Sequence, residues 1–513
     1  AYSPMVAGSR STLLRRLDEL EAKPVADATG MGGPVFSPDG RSLIVTDPQT
    51  MTLKKVAVSG GAPVPFATAD MHFRGDWAAD NYYYWTDGYF SPIVRTPPSG
   101  GKSEPVTQLD LDKQERTHRH VQMLPGGKAL IFTVSHGGID SFNDARIDAY
   151  TLGTKQRKTL VQGGFSARYS PGGHLVYARE GNLYAVPFDA KNLEVTGSPV
   201  KVAEGVFMST NTGSAYFDVS HAGALAYAVG KAEGGERTLA WVDRQGKETP
   251  LPLPVRSYLF PRVSPDSRLL AFEVEGVNHD LYTHDPDRGV TTKMTTDGVS
   301  HAPVWTPDGK HIAFRSWKAG TMTMWWMPAD RSGPEERLTT VGARQSLVAF
   351  SPDGRYATFN QMEVDGTRGD IWMLPMQGDR TPQPFVKSKF TEGSARFSPD
   401  GNWVAYCTDE SGRNEVFVQP WPGPGPKIQV SSEGGTDPIF SRDGKELYYR
   451  NGNKMMVVAI TAQPVFRASK PQLLWEGSYS HGMSASCGPP GTTEANYDVT
   501  SDGQRFLMVK DLD

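Results

Sequence analysis

Apolar residues come in short runs along the whole chain, and turn-forming residues close nearly every one. RSLIV (41–45), RYATF (355–359) and NWVAY (402–406) are examples, and each follows the same string, FSPDG, at 36–40, 350–354 and 397–401. Runs of four to seven residues, rich in β-branched and aromatic side chains and bounded by Gly, Pro and Asp, predict strands rather than helices. Degenerate copies of the string extend the pattern: WAADN (77), MLPGG (123), YSPGG (169), VSHAG (219), VSPDS (263), WTPDG (305), FSRDG (440) and VTSDG (499). The eleven turns end at 40, 81, 127, 173, 223, 267, 309, 354, 401, 444 and 503, a spacing close to that of a four-stranded propeller blade.

The spelling has a physical cause. Pro presets φ for a type I turn, Asp caps it through its side chain, and Gly accepts the left-handed conformation. The turn therefore folds one strand back on the next. An aromatic residue before it (Phe36, Trp77, Tyr169, Trp305, Phe350, Phe397, Phe440) ends an inner strand, and the run after it is apolar on both faces, as in a strand sandwiched between sheets. About fifteen residues later comes an outer pair joined by a polar hairpin, as in LKKVAVSGGAPVPF (53–66) or DIWMLPMQGDRTPQPF (370–385), so each unit predicts four strands.

One segment sets local pattern against repeat register. TLLRRLDELEAKPV (12–25) places Leu13, Leu17 and Leu20 on one helical face, yet aligned with the outer hairpins it becomes two strands around LDELEA. The register takes precedence, and strands are expected.

The predicted fold is all-β, a β-propeller of four-stranded blades. NYDVTSDGQRFLMVK (496–510) is an inner pair with no outer pair after it, and propellers commonly complete one blade from two distant stretches of chain. AYFDVSHAGALAYAVG (215–230) has the same character. Two consecutive propellers are therefore expected, 1–235 with five or six blades and 236–513 with six, closing near 215–230 and 496–510. One ring of eleven or twelve blades is the alternative.

Composition narrows the class further. The 513 residues include 54 Gly and 39 Pro, the texture of many short strands and turns, and the chain is too long for one continuous core. A net charge of −4 with interspersed signs gives no footing for nucleic acid, and no apolar stretch nears the roughly 18 residues of a membrane helix. Cys407 and Cys487 are the only cysteines, too few for a disulfide scaffold or a multi-cysteine zinc site. Because AYSPM reads as the middle of a strand, an upstream signal segment, membrane anchor or larger region is expected before Ala1.

The Pro-Asp-Gly turns resemble those of TolB-like propeller proteins. The order of LLRRLDELEAKPV, LKKVAVSGGAPV, RTHRHVQMLPGGKALIFT, GNLYAVPFDAKNLEVTGSPVKVAEGV, LAWVDRQGKE, SARFSPDGNWVAYCTDESGRNEVFVQPWPGPG and YDVTSDGQRF is similar to the C-terminal propeller region of bacterial receptor-like serine/threonine kinases. The resemblance implies exposure outside the cytoplasm, in the periplasm or beyond the cell. No kinase signature is found: there is no G-x-G-x-x-G loop, no Asp-Phe-Gly, and HRH (118–120) lacks the Asp of the catalytic loop. G-x-S-x-G, H-E-x-x-H and C-x-x-C are missing as well.

Candidate chemistry is sought where inner strands begin, at the channel ends. Arg74 and Asp76 lie there, with His118, Arg119 and His120, then His301, Glu392 and Asp437 in later repeats. His118 and His120 share one face of a strand, and with Glu115 nearby and His301 they are the candidates for a zinc-like divalent metal. The plainer expectation is that these groups satisfy one another and channel water. His120 stands where an aromatic residue is expected. Asp140, Asn143, Asp144 and Asp148 offer oxygens to calcium, but their spacing departs from the Asp-x-Asp-x-Asp-Gly loop, which favours a solvated hairpin. NYYYW (81–85) and MWWM (324–327) are expected to fill blade interfaces rather than stack sugars, and WPGPGPK (421–427) to be an extended surface connection.

The expected function is a non-catalytic propeller binding a protein, small-molecule or oligosaccharide ligand, as a sensor or interaction scaffold, with no cofactor. The alternative is a metal-dependent hydrolase or lyase whose ion sits at a channel mouth on His118, His120 and His301.

Overall fold

The computed structural model describes residues 1–513 apart from 4, 7, 8, 17, 48, 49, 51, 70, 71, 140, 221, 231, 234, 235, 320, 341–343, 362–368, 463, 464, 482–493 and 513. Each Asp-Gly turn reverses the chain between the first and second strands of an antiparallel sheet. At 397–403 the Ser398 hydroxyl donates to Asp400 (2.5 Å) and accepts the Trp403 N–H (3.0 Å). Asp400 also accepts the Asn402 N–H (3.1 Å), and Gly401 sits at φ +73°. The same Ser/Thr-x-Asp lock recurs at 37/39, 264/266, 306/308, 351/353, 441/443 and 500/502. The hydroxyl before the Pro thus has a role of its own, pinning the first residue of the returning strand.

The fold is all-β, a propeller of four-stranded blades. Two 3-10 turns, Leu111–Lys113 and Phe142–Asp144, are the helical elements among the described residues, and no helix there is long and apolar enough to cross a membrane. The segment read two ways forms the antiparallel strands Ser9–Leu14 and Lys23–Thr29. Leu20 is 95% exposed between them, which a buried helical face would not allow.

The chain divides into two compact units, 1–234 and 235–513. The first carries four-stranded sheets at 32–68, 72–105 and 115–162, and one at 165–203 whose strand Asn182–Asp189 pairs with both Glu194–Val195 and Val200–Ala203. Apolar clusters join these sheets in order, with Tyr83, Trp85 and Phe66 in one and Ile131, Tyr177 and Phe188 in another. Smaller sheets complete the unit. Phe217–Val219 and Leu225–Tyr227 pair only with each other among the described residues, and Tyr216, Leu225, Tyr227 and Val229 stay exposed.

The second unit is a closed ring of six sheets, five of four strands and one, at 436–476, in which Lys454–Thr461 pairs with both Arg467–Ala468 and Gln472–Glu476. One of them runs Glu248–Pro250, Arg237–Asp243, Arg505–Asp511, Tyr497–Val499, so its outer pair opens the unit and its inner pair ends it. The pair at 497–511 joins 237–250 and not the chain's first strands, which a single large ring would require. Buried clusters lie on both sides of this sheet: Leu239, Tyr258, Phe272 and Leu507 toward the next blade, Tyr448, Trp475, Tyr497 and Phe506 toward the last. Each such aromatic or aliphatic side chain contributes about 1.5–3 kcal/mol on burial. Arg244 clasps the same seam, donating to Glu446 (2.8 and 2.8 Å), to the Tyr448 hydroxyl (3.0 Å) and to the Gly503 carbonyl (3.2 Å). Cys407 is buried and disulfide-bonded; Cys487 lies outside the described residues.

Candidate functional site

Inner strands in both units share a β-bulge near their start. The register slips at 32/35, 73/76, 119/122, 165/168, 259/262, 301/304, 347/349, 393/396 and 436/439. The bulged residue takes the left-handed conformation at Gly33 and also at His120, Ser166, Phe260, Ala302, Ser394 and Asp437. A bulge bends the strand and re-aims its side chains. At Gly75 a Cβ would come within 2.4 Å of the Tyr84 carbonyl oxygen, so the close approach itself calls for glycine. The residues singled out from sequence cluster around this feature, but in two groups: Arg74, Asp76, His118 and His120 in the first unit, His301, Glu392 and Asp437 in the second.

One further position recurs on the second strand, opposite the residue before the bulge and six residues past the turn. In the first unit it holds Thr46 and Thr133, and the residues so paired in the other two bulged blades, five past the turn, are Thr86 and Ala178. In the second it holds Glu273, Arg315, Cys407 and Arg450, with Asn360 one step out of that register. The Thr133 hydroxyl accepts the N–H of bulge residue Ser166 from the next blade (2.9 Å), and Glu273 Oε2 does the same for Ala302 (3.0 Å). A carboxylate therefore stands where threonine suffices elsewhere.

The other oxygen, Oε1, meets two imidazoles: His279 Nδ1 at 2.7 Å and His301 Nδ1 at 3.0 Å. A carboxylate only accepts, so both Nδ1 atoms donate. All three side chains are buried, and the rings approach to 4.4 Å between centroids. Burial opposes the charge on Glu273, but the two histidines outweigh it and hold the carboxyl below its usual range. Burial lowers His301 to about 4; it also disfavours charge on His279, where the Glu273 hydrogen bond prevails and raises the pKa.

Around the same mouth Arg315 pairs with Glu494 and donates to the Ser346 hydroxyl (2.8 Å), all three buried. Arg450 donates to the Gly452 carbonyl (3.3 Å) and to His481 Nε2 (3.0 Å). Glu392 starts its inner strand, buried and bonded to Ser388, and burial raises its carboxyl to about 7, with Asp370 and Asp409 adding to the shift and Lys427 opposing it. Asp437 accepts from Ser394 (3.2 Å), and its carbonyl accepts the Tyr497 hydroxyl (2.8 Å).

In the first unit, the same kinds of residue are engaged in structure. His118 hydrogen-bonds Thr107 (2.8 Å) and Glu115 (3.2 Å), while Glu115 takes ion pairs from Arg146 and Arg157. Burial lowers His118, and lowers His120 further. Arg119 is sealed between Phe73, Tyr89 and Phe142, where burial brings its pKa to about 9. Arg74 reaches Asp218 (2.5 Å) and the Phe217 carbonyl (2.9 Å), tying down the 217–227 hairpin. Asp76 accepts the Met123 N–H (2.8 Å), and burial raises its carboxyl. His118 and His120 thus lie in one unit and His301 in the other, where His279 and Glu273 accompany it.

Of the calcium candidates, Asp148 is taken by Arg146 (3.2 Å), Arg157 (3.3 Å) and Thr159 (2.8 Å), and the Asn143 side-chain oxygen by the Glu180 N–H (2.8 Å); Asp144 closes a 3-10 turn, and Asp140 lies outside the described residues. Tyr83, Tyr84 and Trp85 are buried between blades, and Met324 and Met327 likewise, with Trp325 and Trp326 packed against those cores. Trp421 of WPGPGPK packs on Tyr356, Phe385 and Phe397.

Sequence reasoning passed over Glu273, His279, Arg315, Arg450 and Glu494 because it looked ahead of the turns. The signal lay behind them, as a charge inside an apolar run at fixed offset: LLAFEVE, HIAFRS and ELYYRN against SLIVTD and LIFTVS. His279 belongs to no repeat, so only the fold reveals it.

No family model matches the chain. The uncharacterized protein Atu1656 of Agrobacterium fabrum is 26% identical over 274 residues, 51% of this chain and 90% of that protein. The Tol-Pal system protein TolB of Francisella tularensis subsp. mediasiatica is 23% identical over 159 residues, 30% of this chain and 36% of TolB, so the match spans about a third of that relative. The crystal structure of TolB from Acinetobacter baumannii aligns with 69% of this chain and 79% of its own, at 16% identity and a TM-score of 0.34. In its Pro-Asp-Gly repeat, its four-stranded blades and its partial sequence match to TolB, the chain is similar to TolB-like β-propeller proteins.

Proposed function

We propose that the chain is a non-catalytic, protein-binding propeller acting outside the cytoplasm, as a sensor or interaction scaffold, and that its partner docks at the mouth of the second ring. The observation that carries this reading is the contrast at one register position, threonine or alanine in the first unit and, beside the uncharged Cys407, the charged Glu273, Arg315 and Arg450 in the second. Burying charge costs free energy that a purely structural position avoids. Beside Arg450 an open cavity of about 280 Å³ is lined by Arg413, Asn414, Thr436, Asn451 and His481. Arg413, Arg450, Asn414, Asn451 and His481 set among apolar lining suit the mixed surface of a protein better than a small apolar molecule. A relative named for the Tol-Pal system supports a protein partner, and the disulfide at Cys407 supports an oxidising compartment.

The test is photo-crosslinking in cells from benzoylphenylalanine placed at Asn414 or Arg413, with Arg288 on the outer edge of another blade as control. One discrete protein adduct from the mouth positions, lost on adding R450A, is expected. Equal adducts from Arg288, or none from the mouth, would overturn the reading. The convergence of Glu273, His279 and His301 favours a second reading, a metal-dependent hydrolase or lyase. Turnover of an ester, peptide or glycan panel that rises with added zinc and vanishes in H301A supports it; a panel with no turnover removes it.

A further inference from the structure

Glu273, His279 and His301 come from separate places in two neighbouring blades. Glu273 lies on the strand Leu270–Glu275, His279 just before Asp280–Asp285, and His301 on the inner strand Ser300–Trp305 of the next blade. A backbone bridge between His279 and Val299 fixes the two histidine-bearing segments side by side. The potential ligand atoms of the three side chains lie within 4.8 Å of one another, and they form the only such group of three among the described residues.

Two donor atoms that each sit about 2.1 Å from one ion are about 3.0 Å apart at a right angle and about 3.4 Å apart in a tetrahedron. Glu273 Oε1 is 2.7 Å from His279 Nδ1 and 3.0 Å from His301 Nδ1, so small side-chain rotations open the space for an ion. The hydrogen bond from Ala302 to Oε2 holds the carboxylate in place while Oε1 remains directed at the imidazoles. Arg315, the cation across the strand pair from His301, is engaged by Glu494 and Ser346, which offsets its charge. Two imidazoles and a carboxylate suit a first-row transition metal; calcium prefers an all-oxygen shell.

We propose that Glu273, His279 and His301 form a binding site for one divalent transition-metal ion of the zinc or cobalt kind, at the mouth of the second ring, with its remaining positions open to water or to a ligand's oxygen. The site stands apart from the protein-binding reading: an ion can bind whether or not a partner docks there. The test uses the full chain, stripped with EDTA and titrated with Co²⁺. A saturable visible spectrum at one ion per chain, displaced by Zn²⁺, is expected, together with two imidazoles in the X-ray absorption of the loaded protein. H279A and H301A should each weaken binding by at least about tenfold, and E273Q, whose amide oxygen can still accept from Ala302, should do the same while the fold persists by circular dichroism. H118A, whose imidazole is held by Thr107 and Glu115, serves as control and leaves the titration unchanged. No saturable cobalt signal from folded protein, an absorption spectrum without two imidazoles, or equal binding by the histidine variants overturns the proposal. The spectroscopic readings decide even if a variant fails to fold.

Discussion

Glu392 shows how a buried carboxyl can set a pH dependence. Folded, it titrates near 7 and not at its ordinary 4.5, because burial disfavours its charge and Asp370 and Asp409 add to that effect, against Ser388 and Lys427. The folded state therefore binds this proton more tightly than the unfolded chain does. The stability it contributes is full below pH 4.5 and is lost as pH rises through 7. Gln has no proton to lose, so E392Q should flatten this part of the profile and melt higher than the parent above pH 7, by about 4 °C. Thermal melts at pH 5 and pH 8 check it, and equal pH dependence in both proteins would count against the assignment. At this scale legibility was uneven. Pro, Asp and Gly announce their turn through their own backbone preferences, whereas His120, Ser166, Phe260 and Ala302 adopt the left-handed bulge against theirs, so nothing in their side chains reveals it.

Among elements, the closing sheet of the second ring concentrates the consequences. Arg244 crosses its seam with a fork of hydrogen bonds to Glu446 and holds Tyr448 and the Gly503 carbonyl as well. R244A should cost about 1.5–3 kcal/mol, the range for a charge-assisted bond in a partly buried setting. R244K should recover less than half, since an ammonium cannot form the fork. Denaturant midpoints of the three proteins measure both effects, and full rescue by lysine would show that charge alone matters. The four-stranded grammar was legible because every blade repeats it. Pairing between strands that ended and opened a unit was legible only as a kind of event; which strand would take 497–511 depended on how many blades close a ring. The helical look of 12–25 was misleading for the opposite reason, as a few leucines at helical spacing carry less information than a register repeated eleven times.

For the whole molecule, the units differ in how their edges are sealed. Every neighbouring pair of blades in 235–513 shares a buried apolar cluster. In 1–234 such clusters run from the first strands to the sheet at 165–203, and Tyr216, Leu225, Tyr227 and Val229 beyond it remain exposed. Calorimetry should therefore resolve two transitions, the first unit melting at the lower temperature, and limited proteolysis below the second transition should leave a resistant fragment of 235–513. A single transition, or resistance confined to the first unit, would contradict this. The sewn ring also has a history in time. Arg237 bonds Asp511, 274 residues later, so on a ribosome adding about 5–20 residues per second its strand waits roughly 15–55 s for its partner. By the end of that interval five blades, 257–476, form an arc with bare ends, and the nascent protein depends on translation outpacing whatever else could pair with them.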